Sequence, residues 1–316
     1  MKKFFIYLIC FLLFTIGIYL VFIWISGNAL PLYLRKNLSY RVGAYGHMNS
    51  RMREVRNYEN TDVLILGSSH AYRGIDIRYF EKTGINAFNL GSSSQTPQQS
   101  LMLLRKYFDQ LRPRLVILEV FPEIFTLDGV ESSLDLVAND VVDRHMLQMV
   151  LKVNHVKTYN AFTYSWLRQC YGSWDDFVEP VTMGKDTYIK GGFVDRKSEE
   201  FKYINHTPLK LNFHKEQIHA LNEIVNFIET RSCQILLVQA PVTKSFYQSM
   251  HYDINMDSLM QSQARYVNFN GNVALDDSLH FYDPDHLNRE GVRIFNKALL
   301  QYIEQENLLN VNAVKK

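Results

Sequence analysis

Gly67-Ser68-Ser69-His70 sets a serine directly after a short apolar run, Val63-Leu64-Ile65-Leu66. A serine between the end of a strand and the start of a helix sits where backbone N–H groups converge. That position suits a nucleophile whose own N–H helps to hold an oxyanion. Serine is unreactive at neutral pH without a base to take its proton. His70 is next in sequence, but neighbours on a turn usually point apart. A better base lies near the other end of the chain, in the loop Phe281-Tyr282-Asp283-Pro284-Asp285-His286-Leu287-Asn288. Asp283 and His286 are three apart. On a turn, that spacing lets a carboxylate hold one imidazole nitrogen while the other faces a serine, as a Ser-His-Asp triad requires. Asp285 is the alternative partner for the ring. His280, Asp283, Asp285 and His286 are also a dense set of potential metal ligands. All four sit in one loop with no second ligand group elsewhere, so neither a metal nor another cofactor is expected.

These residues need a scaffold, and the chain reads as one. Val63–Leu66, Ala87–Leu90, Leu115–Leu118, Ile235–Val238 and Tyr266–Phe269 are short apolar runs ending at Gly, Glu or Pro signals. Between them lie helical patterns. Thr96-Pro97-Gln98-Gln99 is a helix start with Thr as N-cap, Pro at the first position and Gln at the third. Leu101, Leu104, Phe108 and Leu111 follow at helical spacing, as do Ile218, Leu221, Val225 and Ile228, and later Val292, Phe295, Leu299 and Ile303. Strands alternating with helices imply a parallel sheet covered on both faces, here a flavodoxin-like three-layer α/β sandwich. Ligands bind such sheets at the carboxyl ends of the strands. That rule places Ser69, Gly91 and Glu119 along one edge. Glu119 is then either a structural hydrogen-bond partner for a loop, or a contact to substrate or to Ser92–Ser94.

The N-terminus has its own physics. Lys2 and Lys3 precede an uncharged, mostly apolar run from Phe4 to Ile25, long enough to cross roughly 30 Å of hydrocarbon. It exceeds a signal-peptide core, and no small-x-small cleavage site follows. An uncleaved anchor over 1–26 is therefore expected, then a stalk over 27–60, an α/β domain over 61–308 and a tail over 309–316. Within the domain, about 130–210 breaks the strand–helix rhythm. It is rich in aromatics (Tyr159, Phe162, Tyr164, Trp166, Tyr171, Trp174, Phe177) and reads as an insertion, either local core or a wall over the site. The 34 basic and 32 acidic residues nearly balance, and no basic stripe points to nucleic acid. Cys10, Cys170 and Cys233 form no framework. Asn37-Leu38-Ser39 and Asn205-His206-Thr207 fit the short glycosylation pattern, which matters only in a eukaryotic secretory cell.

With these blocks the chain resembles the SGNH (GDSL-type) hydrolase superfamily, most of all its membrane-anchored bacterial members that act on envelope polysaccharides. Gly67-Ser68-Ser69 matches the nucleophile block, with Ser68 where the family has aspartate. Asn89-Leu90-Gly91 matches the second block, which implies Gly91 as an oxyanion donor. Asp283 and His286 match the final Asp-x-x-His. The family's Gly-x-Asn-Asp block is missing, because Glu119-Val120-Phe121-Pro122-Glu123 stands there instead, as in the polysaccharide O-acetyltransferase-like branch. The resemblance, over about 62–305, implies an esterase or O-acyltransferase on an extracytoplasmic substrate such as an envelope glycan. It also implies a single-pass protein of the bacterial cytoplasmic membrane with its domain outside, and envelope acyl-transfer proteins as partners. The missing asparagine leaves a degenerate, non-enzymatic relative that binds glycan or proteins as the alternative. An α/β-hydrolase is a third reading. Its Gly-x-Ser-x-Gly elbow is broken here by Ala71, and its nucleophile follows several strands rather than the first.

Overall fold

The computed structural model describes residues 1–172, 176–197, 201, 207–252 and 254–309. Trp174, Asn205 and His206, and most of the tail, lie outside the described residues. Five strands form the central sheet: β1 (Val63–Leu66), β2 (Ala87–Asn89), β3 (Leu115–Glu119), β4 (Gln234–Gln239) and β5 (Tyr266–Asn268). All pairs are parallel and the order is β5-β4-β3-β1-β2. This is the flavodoxin-like order, with strand order reversing between β1 and β3.

Alternate residues of the strands feed two separate cores. Leu64, Leu66, Val116, Leu118 and Leu237 face one side, and Val63, Ile65, Leu115, Ile117, Leu236 and Val238 the other. The helices are α1 (Lys2–Ala29), α2 (Met48–Val55), α3 (Ser69–Gly74), α4 (Pro97–Leu111), α5 (Val130–Asn139), α6 (Arg144–Val153), α7 (Val156–Cys170), α8 (Lys215–Glu229) and α9 (Arg289–Gln305), with shorter turns between them. Apolar side chains of α2, α4 to α8 cover the first face; Val292, Phe295, Leu299 and Ile303 of α9 cover the second. The chain is thus a three-layer α/β sandwich.

The helix start at Thr96 is a capping box. Gln99 Oε1 accepts from the Thr96 N–H at 3.2 Å, and Pro97 is the first helical residue. Thr96→Ala should lower stability by about 1 kcal/mol in a urea titration.

Within the span read as a stalk, residues 38–55 pack back on the domain. Leu38, Tyr40, Met48, Met52 and Val55 are buried in the first core. Arg51 is fully buried, and its Nε and Nη2 donate to the Gly192 carbonyl at 3.0 and 2.8 Å. Gly192 has φ of +96°, and a Cβ there would lie 2.0 Å from the Asn89 carbonyl oxygen, so only glycine fits. Burial lowers the pKa of this guanidinium, the Gly192 carbonyl satisfies two of its donors, and its aliphatic stem adds apolar packing.

The insertion has two halves with different jobs. α5, α6 and α7 pack on the first core. The aromatics of α7 meet α1: Tyr164 and Tyr171 lie 6.2 and 4.9 Å from the Trp24 ring. Tyr164 and Tyr171 thus form a seat for α1. The second half is a three-stranded antiparallel meander over Thr182–Met183, Asp186–Ile189 and Phe193–Arg196. This half reaches α3 through an ion pair of Arg73 with Asp186, at 2.9 and 2.7 Å.

Candidate active site

β1 ends at Leu66 and the chain turns at Gly67, whose φ is +139°. A Cβ on Gly67 would lie 2.6 Å from the Glu119 Cβ, so glycine lets this turn pack against the end of β3. Ser68 caps α3 by accepting from the His70 N–H at 3.2 Å. Ser69 is the first residue of α3, where a backbone N–H has no intrahelical acceptor.

The loop before α9 is held to the segment after β4 and to itself. Thr243 donates its N–H and hydroxyl to the Pro284 carbonyl at 2.9 and 2.7 Å, and Phe281 bridges to Leu287. Asp283 Oδ1 accepts from the backbone N–H groups of Asp285 and His286 at 3.1 and 2.7 Å, which closes the turn around that carboxylate. The structure brings the two remote segments together. His286 Nε2 lies 2.8 Å from Ser69 Oγ, and His286 Nδ1 lies 3.1 Å from each Asp283 oxygen. Asp285 Oδ1 is also close, at 3.3 Å from Nδ1. Both aspartates therefore reach the ring, although adjacency in sequence argues against Asp285.

His70 is part of this arrangement without bonding to Ser69. Its buried ring stacks on His286 at 4.8 Å with an interplanar angle of 7°, and meets the Phe121 ring at 4.1 Å, tilted by 34°. Its Nδ1 lies 3.0 Å from Ser68 Oγ, and its Nε2 lies 3.6 Å from Asp285 Oδ2. Ser68 in turn donates its N–H and hydroxyl to Glu119 Oε2 at 3.0 and 2.7 Å. A polar chain thus runs from Glu119 through Ser68, His70 and Asp285 to His286.

The electrostatics along that chain are uneven. Burial opposes a charge on His286, but the carboxylates of Asp283 and Asp285 outweigh it and raise its pKa to about 10. Burial and the positive His286 push His70 down to about 3, so His70 is neutral. Burial pushes Glu119 up to about 7, against the hydrogen bonds from Ser68. Asp285 is held well below the usual carboxylate range: burial opposes this, but the bonds and charges of His286 and His70 prevail.

Two residues that the sequence nominated do other work. Gly91 donates its N–H to Asn89 Oδ1 at 3.0 Å, so that donor is already engaged inside the protein. Asn89 is itself locked, donating to the Ala71 and Ile75 carbonyls. Gly91 is needed for space: a Cβ there would lie 2.9 Å from the Ala71 Cβ and 3.0 Å from the Tyr72 nitrogen. Glu119 is 0 % exposed and touches neither solvent nor the Ser92–Ser94 loop through any hydrogen bond among the described residues. It supports the nucleophile turn from beneath through its bonds to Ser68.

As for metal ligands, His70, Asp285 and His286 come within 4.8 Å of one another. His280 is not among them, because its Nδ1 accepts the Asp276 N–H at 2.7 Å. The nitrogens of His286 are already spanned by Ser69 and two carboxylates. Sequence reasoning also passed over Tyr282, which stacks on His286 at 5.6 Å and lies under the Arg196 guanidinium at 4.9 Å. A cleft of about 140 Å³ opens beside it, lined by Arg73, Arg78, Arg196 and Arg289 with Asp76 and Asp195. Paired arginines carry no sequence period, so no signal marks them.

No protein-family model matches the chain, and no curated protein matches it. Solved structures do. One is a putative acylhydrolase from Bacteroides fragilis, 10% identical, covering 84% of this chain and 97% of its own, with a TM-score of 0.39. Another is a GDSL-like lipase from Bacteroides thetaiotaomicron, 11% identical, covering 82% of this chain and 99% of its own, also at 0.39. A third is the psychrotrophic esterase EstA from Pseudoalteromonas sp., 14% identical, covering 78% of this chain and 97% of its own, at 0.33. The solved structures to which this α/β chain is similar are thus described as an acylhydrolase, a GDSL-like lipase and an esterase.

Proposed function

We propose that this chain is a serine acyl-ester hydrolase or O-acyltransferase of the SGNH kind. The observation that carries the proposal is the 2.8 Å approach of Ser69 Oγ to His286 Nε2, between residues 217 positions apart. Ser69 Oγ attacks an acyl carbonyl while neutral His286 takes the hydroxyl proton. The tetrahedral oxyanion lies at the N-terminus of α3, where the Ser69 N–H is the donor. His286 then protonates the leaving alcohol, and the acyl group stays on Ser69 as an ester. A water or a sugar hydroxyl gives its proton to His286 and attacks that ester, and His286 passes the proton to Ser69 Oγ as the Ser69–acyl bond breaks. Asp283 fixes the ring so that Nε2 faces the serine.

The arginine-lined cleft beside Tyr282 suits a polar acyl carrier, such as an envelope glycan, better than a long lipid chain. The domain is proposed to sit outside a bacterial cytoplasmic membrane on its N-terminal anchor, alongside proteins that deliver or accept acyl groups. A fluorophosphonate probe tests the chemistry. It should label the full chain, and Ser69→Ala should remove that labelling while Ser68→Ala retains it. Equal labelling of Ser69→Ala would rule out Ser69 as the nucleophile.

One observation favours a second reading. The Gly91 N–H is engaged by Asn89, and the usual asparagine donor is absent, which leaves a sparse oxyanion site. A glycan- or protein-binding relative without turnover would tolerate that. In that case Ser69→Ala and His286→Ala chains would both complement a deletion strain fully.

A further inference from the structure

The cleft beside Tyr282 carries more positive charge than its own carboxylates match. Arg73, Arg78, Arg196 and Arg289 line it, and three aspartates answer them. Asp186 pairs with Arg73 at 2.7 Å and with Arg196 at 3.0 Å. Asp195 pairs with Arg289 at 2.7 Å and with Arg78 at 3.4 Å, and Asp76 pairs with Arg78 at 2.7 Å. Four guanidiniums against three carboxylates leave one positive charge over. Like charges gathered on one wall repel each other, and an anion between them removes that repulsion.

Open donors accompany that charge. Arg289 bonds to Asp195 through Nε, and Arg78 bonds to Asp76 and Asp195 through Nε and Nη2. Among the described residues, Arg78 Nη1 and both Nη atoms of Arg289 make no hydrogen bond, and these side chains are 41 and 54% exposed. Arg196 lies over the Tyr282 ring at 4.9 Å, and Arg78 over the Phe193 ring at 5.3 Å. Stacking engages the face of a guanidinium and turns its N–H edge outward, the edge that a carboxylate meets with both oxygens. Size limits the ligand further. A cavity of about 150 Å³ holds a single benzene ring, and this cleft is of that size, with aromatic walls and a charged rim. A pyranose ring bearing a carboxylate combines those features.

The cleft adjoins the reacting groups. Tyr282 is the partition: its ring is stacked on His286 at 5.6 Å and also lines the cleft. Leu287, the next residue after His286, is part of the same wall. Arg73 stands one helical turn after Ser69 on the same face of α3. We infer that this cleft is a subsite for an acidic sugar unit, a uronic acid, of the chain whose acyl ester is presented to Ser69. The inference rests on the acyl-ester reading of that site. It narrows the carrier from any polar glycan to one with carboxylates along its length.

Binding is measured by saturation-transfer NMR on the full chain in detergent, with Ser69→Ala so that turnover cannot consume a probe. The probes are methyl glucuronoside and methyl galacturonoside, each compared with its own methyl ester, which keeps the ring and removes the charge. The acids should bind about tenfold more tightly than the esters, the gain expected of a charge-assisted contact. That preference should largely vanish in Arg78→Gln and in Arg289→Gln. It should persist in Arg293→Gln, a charge change on the same helix outside the cleft. Equal affinity of acid and ester would overturn the assignment, as would a preference that survives both cleft variants. Displacement of the acids by glycerol 3-phosphate at a lower concentration than their own would overturn the uronic acid in favour of a phosphate group. Fluorophosphonate labelling of the chain with Ser69 intact reads the neighbouring chemistry separately. Labelling without acid preference sinks the subsite alone, whereas acid preference without labelling supports the subsite and sinks the acyl-ester reading.

Discussion

Replacing His286 by alanine lowers kcat/KM for an activated acyl ester by about a thousandfold, because the serine loses its general base. The aspartates behave differently from each other. Asp283 presents both oxygens to Nδ1 at 3.1 Å and is itself fixed by two backbone N–H groups, whereas Asp285 divides its oxygens between His286 and His70. Asp283→Asn should therefore cost about a hundredfold or more, since an amide cannot hold the ring tautomer that faces Nε2 toward Ser69. Asp285→Asn should chiefly change the pH dependence. His286 acts as a base only when neutral, and its pKa of about 10 means that activity rises with pH through the alkaline range. Removing the Asp285 carboxylate takes away one of the two charges that hold the proton. The half-maximal pH of kcat/KM then moves downward, and activity at pH 7 is retained or raised. Steady-state kinetics of the three variants from pH 6 to 10 decide this. A severe loss in Asp285→Asn with a mild one in Asp283→Asn would exchange their roles.

The residues at the ends of this site were legible because each carries a local signature. Gly67 to Ser69 follows an apolar run, and Asp283 and His286 are spaced for one turn. The sheet was legible for the same reason: four-residue apolar runs bounded by Gly, Pro or Glu leave few alternatives to buried parallel strands. What failed to show was anything that depends on a distant partner. Arg51 looks like part of a basic, exposed linker until the Gly192 carbonyl, 141 residues away, is seen to accept both its N–H groups. The rule that neighbours on a turn diverge holds for Ser69 and His70, yet the His70 ring still lands on His286, because α3 brings that loop over it. Gly91 sits where the family's motif would put a donor. Its N–H is diverted by Asn89, a residue of the same motif, and no spacing rule distinguishes a donor turned inward from one turned toward substrate. The aromatics of the 130–210 insertion were open to two readings, local core or a wall over the site, and composition gave no sign that Tyr164 and Tyr171 would pack on Trp24 of α1.

Glu119→Gln should make the protein less sensitive to pH, by roughly 3 kcal/mol of unfolding free energy between pH 5 and 8. Glu119 is fully buried, and its Oε1 has no hydrogen-bond partner, so the neutral form is favoured in the fold. Its pKa rises from an ordinary 4.5 to about 7. Between those values the folded state binds a proton that the unfolded state has released. Stability from this group is therefore fully present below about pH 4.5 and is lost as pH climbs through 7. Two and a half pH units at 1.36 kcal/mol each give the roughly 3 kcal/mol. Glutamine keeps the acceptor for Ser68 and removes the titration. Asp135, also raised to about 7 by burial, is present in both proteins and cancels in the comparison. Urea unfolding of both chains in detergent should show Glu119→Gln gaining on the parent as pH rises. A difference that stays constant from pH 5 to 8 would mean that Glu119 is ionised throughout. The same titration redirects hydrogen bonds toward the base. With Glu119 charged, Ser68 donates to it and accepts from His70 Nδ1, leaving His70 Nε2 without a proton opposite Asp285. With Glu119 neutral, the donors run the other way and His70 Nε2–H points at Asp285, weakening that carboxylate's hold on His286. In the parent, the ring-nitrogen NMR shifts of neutral His70 should then pass from one tautomer to the other as pH crosses 7, and Glu119→Gln should hold them fixed.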